Sequence, residues 1–328
     1  MKSAVYTLAI DIGGTQIKAG ILSSEGEIIA LERMATPANS NPESVIRKIL
    51  ILRDLLFQNT LEIADKLIGT GISIAAFIKG DGQIMATAHL SQEWVGYNLH
   101  SRLIGDLPMP HYFCLDTPAP TLGEAYFGAG KGEKDFVYVT VSTGIGAGII
   151  ADGHYLIGGL GWAGGIGHTI IDENSDRICP GCGNHGCLET FSAKQGIVTN
   201  ALEMIEKYPD SLLAEQFRFD QNDITPKVIA DIAQKGDQAS IEVFEMAGHA
   251  LGIGLTNLVD IVSPNKVIIG GGIALSGDLL LGPARQIIRQ RAFPPKNRDV
   301  EVVQAALGDL SGLYGAAAMV FNNIQINP

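Results

Sequence analysis

The chain has 328 residues, more than one hydrophobic core usually sustains, so two lobes or domains are expected. Its 46% hydrophobic and 18% charged residues, with 40 glycines, exclude a disordered chain and fit a compact α/β protein rich in tight turns. A net charge of -12 with no Lys/Arg cluster argues against a nucleic-acid surface, although small anions can still bind backbone N–H groups.

The N-terminus "MKSAVYTLAIDIGG" has a short apolar stretch interrupted by Asp11, without the h-region and cleavage site of a signal peptide. No later segment offers the roughly 18 uninterrupted apolar residues of a membrane span. A cytoplasmic protein with no membrane partner is the expectation. "LAIDIGGTQIKAGILSSEGEIIA" reads as strand, glycine turn, strand, turn at Ser24-Glu25-Gly26, strand. A helix follows: Asn41 caps it, Pro42 fits its first turn, and Val45, Ile46, Ile49, Leu52, Leu56 and Phe57 recur at helical spacing. "LIGTGISIAAFIKGDGQIM" then reads as a buried strand, an irregular segment and a hairpin turn at Asp81-Gly82, and "HYFCLD" as a short strand ending at Asp116.

At Phe136 the plan begins again. "FVYVTVSTGIGAGIIADGHYLIG" repeats strand, glycine turn, strand, Asp-Gly turn, strand, which suggests two duplicated lobes facing a shared cleft. The predicted division is residues 1–117, with 310–328 packing back on them, and residues 118–309. Ile241, Phe244, Leu251, Leu255, Leu258 and Val262 mark a long buried helix, and "KVIIGGGIA" a buried strand ending in three glycines.

The first glycine turn is not a dinucleotide fingerprint, because its glycines open a strand rather than a helix and the third glycine is missing. The Walker A pattern is absent too. Two readings remain: a tight hairpin with a satisfied aspartate, or a phosphate cradle. In the cradle, Gly13, Gly14 and Thr15 bring N–H groups and a hydroxyl to phosphate oxygens, and Asp11 faces them through Mg²⁺ and its waters. The second turn, Ser142-Thr143-Gly144-Ile145-Gly146, favours the cradle. With Gly270-Gly271-Gly272 the two turns match the three nucleotide-contacting elements of the actin-like ATPase fold.

"GHTIIDENSDRICPGCGNHGCLE" offers His168, ten intervening residues, then Cys179, Cys182 and Cys187. One imidazole and three thiolates suit a closed tetrahedral Zn²⁺ site that is structural, since no coordination position is left for chemistry. The alternatives are free core cysteines or a redox pair; cysteines interleaved with Gly181, Gly183 and Gly186 pack an apolar core badly. His185 is read as exposed rather than as a ligand.

From Leu8 to about Ala318 the chain resembles the ROK family of sugar kinases and repressors. The resemblance rests on D-x-G-G-T, S/G-T-G-I-G, G-H-T with the downstream C-G-x-x-G-C-L-E, and P-x-x-V-I-x-G-G-G. It implies a two-lobed actin-like ATPase (ribonuclease H-like) fold that uses ATP and Mg²⁺ to phosphorylate a hexose or N-acetylhexosamine, as a homodimer. It also implies that Asp11, Gly13, Gly14 and Thr15 hold phosphates with Mg²⁺, that Thr143 and Gly144 face the γ-phosphate, and that Gly271 and Gly272 lie against the adenosine. Lys18 stands at the family's basic position, although an exposed strand lysine reads equally well. Asp116 corresponds to the catalytic base, just ahead of a helix capped by Thr117-Pro118, and His168 and Glu189 to residues facing the sugar. ROK repressors resemble these kinases but carry an extra winged helix-turn-helix at the N-terminus, whereas this sequence opens on the phosphate strand.

The sugar side departs from the family pattern. G-E-x-G-H is here Gly164-Gly165-Ile166-Gly167-His168, so Gly165 removes an acceptor for a hydroxyl near C2. The family's Asn before the catalytic Asp is Leu115, "ANAAA" is "TPAPT", and Ala75-Ala76-Phe77 lacks the usual Pro-Gly. An unpaired hydroxyl in a dry pocket costs about 1–3 kcal/mol, so an ordinary glucose site weakens. Three readings follow: a different sugar whose C2 substituent fills the space at Gly165; replacement contacts from Glu93, Trp94 or Asn98; or a sugar or nucleotide sensor without phosphoryl transfer.

Overall fold

The computed structural model describes residues 5–60, 62–87, 90–159, 161–218, 224–293 and 300–324. They form two compact units, residues 1–132, 155–163 and 306–328 in the first and residues 133–154 and 164–305 in the second.

In the first unit β1 (Tyr6–Ile12), β2 (Gln16–Ser23) and β3 (Ile28–Ala35) form an antiparallel meander. Helix α1 (Pro42–Asn59) starts as the sequence predicts, with Asn41 Oδ1 accepting from the Ser44 N–H and Pro42 in the first turn. Then come β4 (Leu67–Ile74), the short hairpin β5 (Ala76–Ile78) and β6 (Ile84–Thr87), α2 (Leu99–Leu103), β7 (His111–Leu115) and α3 (Pro118–Phe127). The sheet order is β3-β2-β1-β4-β7, with β4 parallel to β1 and β7 parallel to β4. Alternation along β1 sends Leu8, Ile10 and Ile12 to the side of α1 and Ala9 to the opposite face.

The second unit repeats that plan. β8 (Phe136–Val141), β9 (Ile145–Ala151) and β10 (His154–Tyr155) form its meander, followed by α4 (Glu189–Ser192), α5 (Lys194–Lys207), α6 (Leu212–Gln216), α7 (Pro226–Ala233) and α8 (Gln238–Val262). β11 (Lys266–Gly270), α9 (Asp278–Arg291) and β12 (Glu301–Gln304) complete it, in sheet order β10-β9-β8-β11-β12 with β11 parallel to β8 and β12. An antiparallel meander extended by two parallel strands thus occurs twice, the duplication expected from the repeated glycine turns.

The last helix, α10 (Ser311–Asn322), belongs to the first unit, where it packs on α3 and on the sheet face opposite α1. Its small residues allow backbone contact: a Cβ at Gly315 would overlap the Ala119 carbonyl, and one at Gly71 the Ala316 carbonyl. Residues 325–328 of the expected C-terminal segment lie outside the described residues. The first unit runs on to Gly132 instead of Thr117, because α3 is held by α10; it also takes in residues 155–163, expected in the second, and begins its last segment at Ala306 instead of Leu310. Glu124, fully buried on α3, strengthens that attachment by accepting from the N–H groups of Ala129 (2.7 Å), Ala306 (3.2 Å) and Leu307 (2.9 Å).

Candidate functional site

In the first unit the parallel strands β1, β4 and β7 end at one edge of the sheet, the edge where open α/β sheets carry ligands. Asp11 lies on β1 in register with Ser73 on β4, and Ser73 in register with Cys114 on β7, two residues before Asp116. Two strand spacings separate the two aspartates laterally, roughly 10 Å. Burial pushes the Asp11 carboxyl above its ordinary range, and the Lys18 ammonium, 3.7 Å away, pulls it back down. Lys18 also donates to the Asp309 carbonyl, so it is anchored at this edge and is not a loose strand lysine.

The turn after Asp11 divides its groups between structure and solvent. The Gly13 N–H closes the hairpin on the Gln16 carbonyl at 3.0 Å, and the Gly13 carbonyl accepts from Thr36 Oγ1 at 2.7 Å. Gly13 is thereby spent on the turn. Gly14 and Thr15 are exposed, and their N–H groups have no backbone acceptor among the described residues. Gly312, in the first turn of α10, comes so close that a Cβ there would stand 2.9 Å from both Asp11 carboxylate oxygens. The bare backbone at Gly312 leaves room for the Asp11 carboxylate, whose oxygens are the donor type that Mg²⁺ takes.

Asp116 follows β7 directly, its N–H donating to the Ile74 carbonyl at 3.1 Å. Helix α3 starts two residues later at Pro118, but Thr117 makes no side-chain cap; the Thr121 hydroxyl bonds the Thr117 carbonyl instead.

In the second unit the turn after β8 is closed by Ser142 N–H donating to the Gly144 carbonyl, and the Lys194 N–H ties α5 to the Ser142 carbonyl. Thr143 is exposed at its tip. A pocket of about 350 Å³ beside it is lined by Thr143, Arg177, Pro180, Glu189, Ala193 and Gln195. Glu189 bridges two features: Oε2 lies 3.1 Å from where a Gly144 Cβ would be, and Oε1 accepts from Cys179 Sγ at 2.8 Å.

The ligand atoms of His168, Cys179, Cys182 and Cys187 all lie within 4.8 Å of one another. Cys182 Sγ is 3.6 Å from Cys187 Sγ, and Cys179 Sγ is 3.4 Å from His168 Nδ1. Tetrahedral zinc with bonds near 2.3 and 2.05 Å sets about 3.8 and 3.6 Å for those pairs, so the donor set fits the ion. Burial pushes the Cys187 thiol up to about 12 and raises that of Cys179, while the Asn184 N–H lowers that of Cys182. Binding to a divalent ion strips the proton from each. Arg177 fastens the loop, paired with Glu203 at 2.6 Å and lying 4.8 Å over the Phe191 ring. His185 is exposed, as expected.

Gly271 takes φ +88, where a Cβ would strike the Val141 carbonyl, whereas Gly272 faces open space. Gly165 is exposed at φ -68, heading the 3-10 turn Ile166–His168. Of the three replacement sugar contacts expected, Trp94 is fully buried with its indole N–H on the Ser40 carbonyl at 2.7 Å, so it is a core residue. Asn98 caps α2 through the Ser101 N–H at 2.8 Å. Glu93 alone stays exposed. Sequence reasoning missed Gly312, whose neighbour Asp11 is some three hundred residues away, and Arg177, whose partners lie in later helices.

The sequence model of the ROK family matches residues 7–323. A glucokinase of Halalkalibacterium halodurans is 31% identical over 96% of this chain and 94% of that protein. A xylose repressor of Caldicellulosiruptor bescii is 28% identical over 98% of this chain and 79% of that protein. Among solved structures, a ROK glucokinase from Streptomyces griseus in complex with glucose and AMPPNP has a TM-score of 0.79 at 28% identity, covering 97% of this chain and 99% of that one. The fold is accordingly the actin-like ATPase fold. Among the described residues no helix is long and apolar enough to cross a membrane.

Proposed function

Because the chain belongs to the ROK family, we propose that it is an ATP-dependent sugar kinase, transferring the terminal phosphoryl group to a hydroxyl of a hexose or N-acetylhexosamine. The observation that carries this reading is the pair Asp11 and Asp116 at the ends of the parallel strands β1 and β7, with β4 between them. A lateral spacing of roughly 10 Å, with Asp116 two residues beyond the level of Asp11, leaves room for a phosphoryl group and an acceptor hydroxyl.

Asp116 is the general base: its carboxylate takes the proton from the attacking hydroxyl as the O–P bond forms. Mg²⁺, held by Asp11, would neutralise phosphate charge during transfer. Lys18 adds a positive charge at the same edge, and the N–H groups of Gly14 and Thr15, without a backbone acceptor among the described residues, are assigned to phosphate oxygens. In the second unit Thr143 and Gly144 are assigned to the γ-phosphate, Gly271 and Gly272 to the adenosine, and His168 and Glu189 to the sugar. Zn²⁺ on His168, Cys179, Cys182 and Cys187 is structural, fixing the loop that carries His168. The same reading makes the protein a cytoplasmic homodimer.

An ADP-release assay across hexoses, N-acetylhexosamines and short glucosides tests the proposal, with Asp116→Asn expected to lose about 10²–10⁴-fold in kcat. ATP binding without turnover on any sugar would move the assignment to a regulatory sugar sensor, a class that the similarity to a xylose repressor also favours.

A further inference from the structure

Asp11 shares its face of the first sheet with two other polar or polarisable side chains. The parallel register of β1, β4 and β7 sets Asp11, Ser73 and Cys114 in one row across the strands. Strand alternation puts Asp11 on the side of Ala9 and Cys114 on the side of Tyr112, which is the face that α10 covers. Helix α10 lies close over the row, with Gly312 against Asp11 and the Ala316 carbonyl against Gly71, two residues before Ser73.

Ser73 is the unexplained member of the row. It is 0% exposed, and its Oγ closes no hydrogen bond among the described residues. A buried hydroxyl without a partner costs free energy that an alanine in its place would not, so folding alone does not account for it. Its two neighbours differ as acceptors. Burial, together with the charges of Asp11 and Asp116, pushes the Cys114 thiol well above its ordinary range, so that sulfur stays protonated and accepts weakly. On the other side stands the Asp11 carboxylate, whose ionised form the Ser73 hydroxyl favours. A strand spacing of about 4.8 Å lets a hydroxyl reach the carboxylate beside it by turning about one bond.

The two residues differ in access. Asp11 meets solvent with 17% of its side chain and Ser73 with none, so a cation arriving from outside reaches Asp11 and not Ser73. Lys18 approaches Asp11 Oδ2, at 3.7 Å, and Gly312 adds no side chain above it. We infer that Ser73 is a positioning residue, its hydroxyl donating to the Asp11 carboxylate and fixing which oxygen is presented to the Mg²⁺ of the nucleotide. Metal-binding carboxylates are commonly oriented in this way by a hydrogen bond from a group behind them. The role presupposes the nucleotide half of the sugar-kinase reading.

The non-hydrolysable nucleotide AMPPNP is titrated calorimetrically into the full-length protein with and without Mg²⁺, for the wild type, Ser73→Ala, Asp11→Asn and the double variant, and ADP release with sugars is measured in parallel. The factor by which Mg²⁺ tightens AMPPNP binding is expected to fall about tenfold in Ser73→Ala, with kcat falling by a similar factor at unchanged KM for the sugar. Asp11→Asn is expected to lose at least as much, and adding Ser73→Ala to it to change nothing further, because the hydroxyl acts through the carboxylate. The melting midpoint of Ser73→Ala without nucleotide is expected to hold or rise. Sugar turnover with an unchanged Mg²⁺ factor in Ser73→Ala overturns the positioning role and leaves the kinase standing. A Mg²⁺ factor lowered in Ser73→Ala, with no turnover of any sugar by the wild type, supports the role and overturns the kinase. Losses that multiply in the double variant, or wild-type AMPPNP binding that ignores Mg²⁺, also overturn the role.

Discussion

Gly312 sits directly against Asp11: a single added carbon at residue 312 would stand 2.9 Å from the carboxyl carbon and from each carboxylate oxygen. Gly312→Ala therefore displaces the carboxylate proposed to hold Mg²⁺, or crowds that cation. Alanine is favoured over glycine inside a helix by about 0.5–1 kcal/mol, so stability is expected to hold or rise. Phosphoryl transfer is expected to fall about 10–100-fold, the scale of a small misplacement at a reacting centre. Steady-state kinetics over a range of Mg²⁺ concentrations, beside a thermal melt, check both halves.

Two adjacent glycines are expected to respond in opposite ways. Gly164 takes φ +93, its carbonyl accepts the Ala147 N–H at 2.8 Å, and a Cβ there would overlap the Ala147 carbonyl, so Gly164→Ala is expected to destabilise the second unit by more than about 1–3 kcal/mol. Gly165 is exposed at φ -68, ordinary for any residue. Gly165→Glu is expected to fold normally and, by restoring the acceptor that the family usually has there, to raise kcat/KM for glucose by roughly tenfold. Melting curves and a two-sugar kinetic comparison separate the outcomes.

The protein as isolated is expected to carry about one zinc per chain, the capacity of a single four-ligand site. Cys182→Ser removes the ligand whose thiol has the lowest proton affinity of the three, and is expected to weaken zinc binding by more than roughly tenfold. Chelation is expected to lower the unfolding midpoint of the wild type and to leave the variant nearly unchanged. Elemental analysis with matched melts tests this.

His111 provides a pH test of stability. The ring is buried with Nδ1 unpaired and Nε2 3.4 Å from the Leu107 carbonyl, and burial lowers its pKa below 6.5. The unfolded chain then takes up a proton that the folded chain refuses. Below 6.5 the unfolded state binds more protons, so stability falls with pH until the folded ring titrates too. Urea midpoints at about pH 8 and about pH 5.5 should show that loss, and His111→Phe should reduce it. His100, whose ring centroid lies 5.1 Å away, is kept in both proteins.

Local chemistry was legible and distant contact was not. The Asn41 cap, the hairpin turns and the Cys179 to Cys187 cluster depend on residues a few places apart, and each can be read from spacing. Trp94 shows the limit. Within "SQEWVGYNL" it resembles a sugar contact, yet its indole reaches Ser40, a residue 54 places earlier that no local pattern pairs with it. The unit boundary was misplaced for the same reason, since α3 reads as the start of a new lobe until α10 is seen packed against it.

Glu124 gives the chain's topology a mechanical meaning. The chain leaves the first unit after Gly132 and returns for the last time at Ala306; Glu124 binds Ala129 just before the exit and both Ala306 and Leu307 at the return. One buried carboxyl group thus clasps the ends of a long excursion, as a disulfide does in many secreted proteins, without depending on redox conditions. In engineering terms a single side chain of the first unit holds the two outer junctions of that excursion, and any replacement of residues 133–305 would have to bring back residues 155–163, which belong to the first unit.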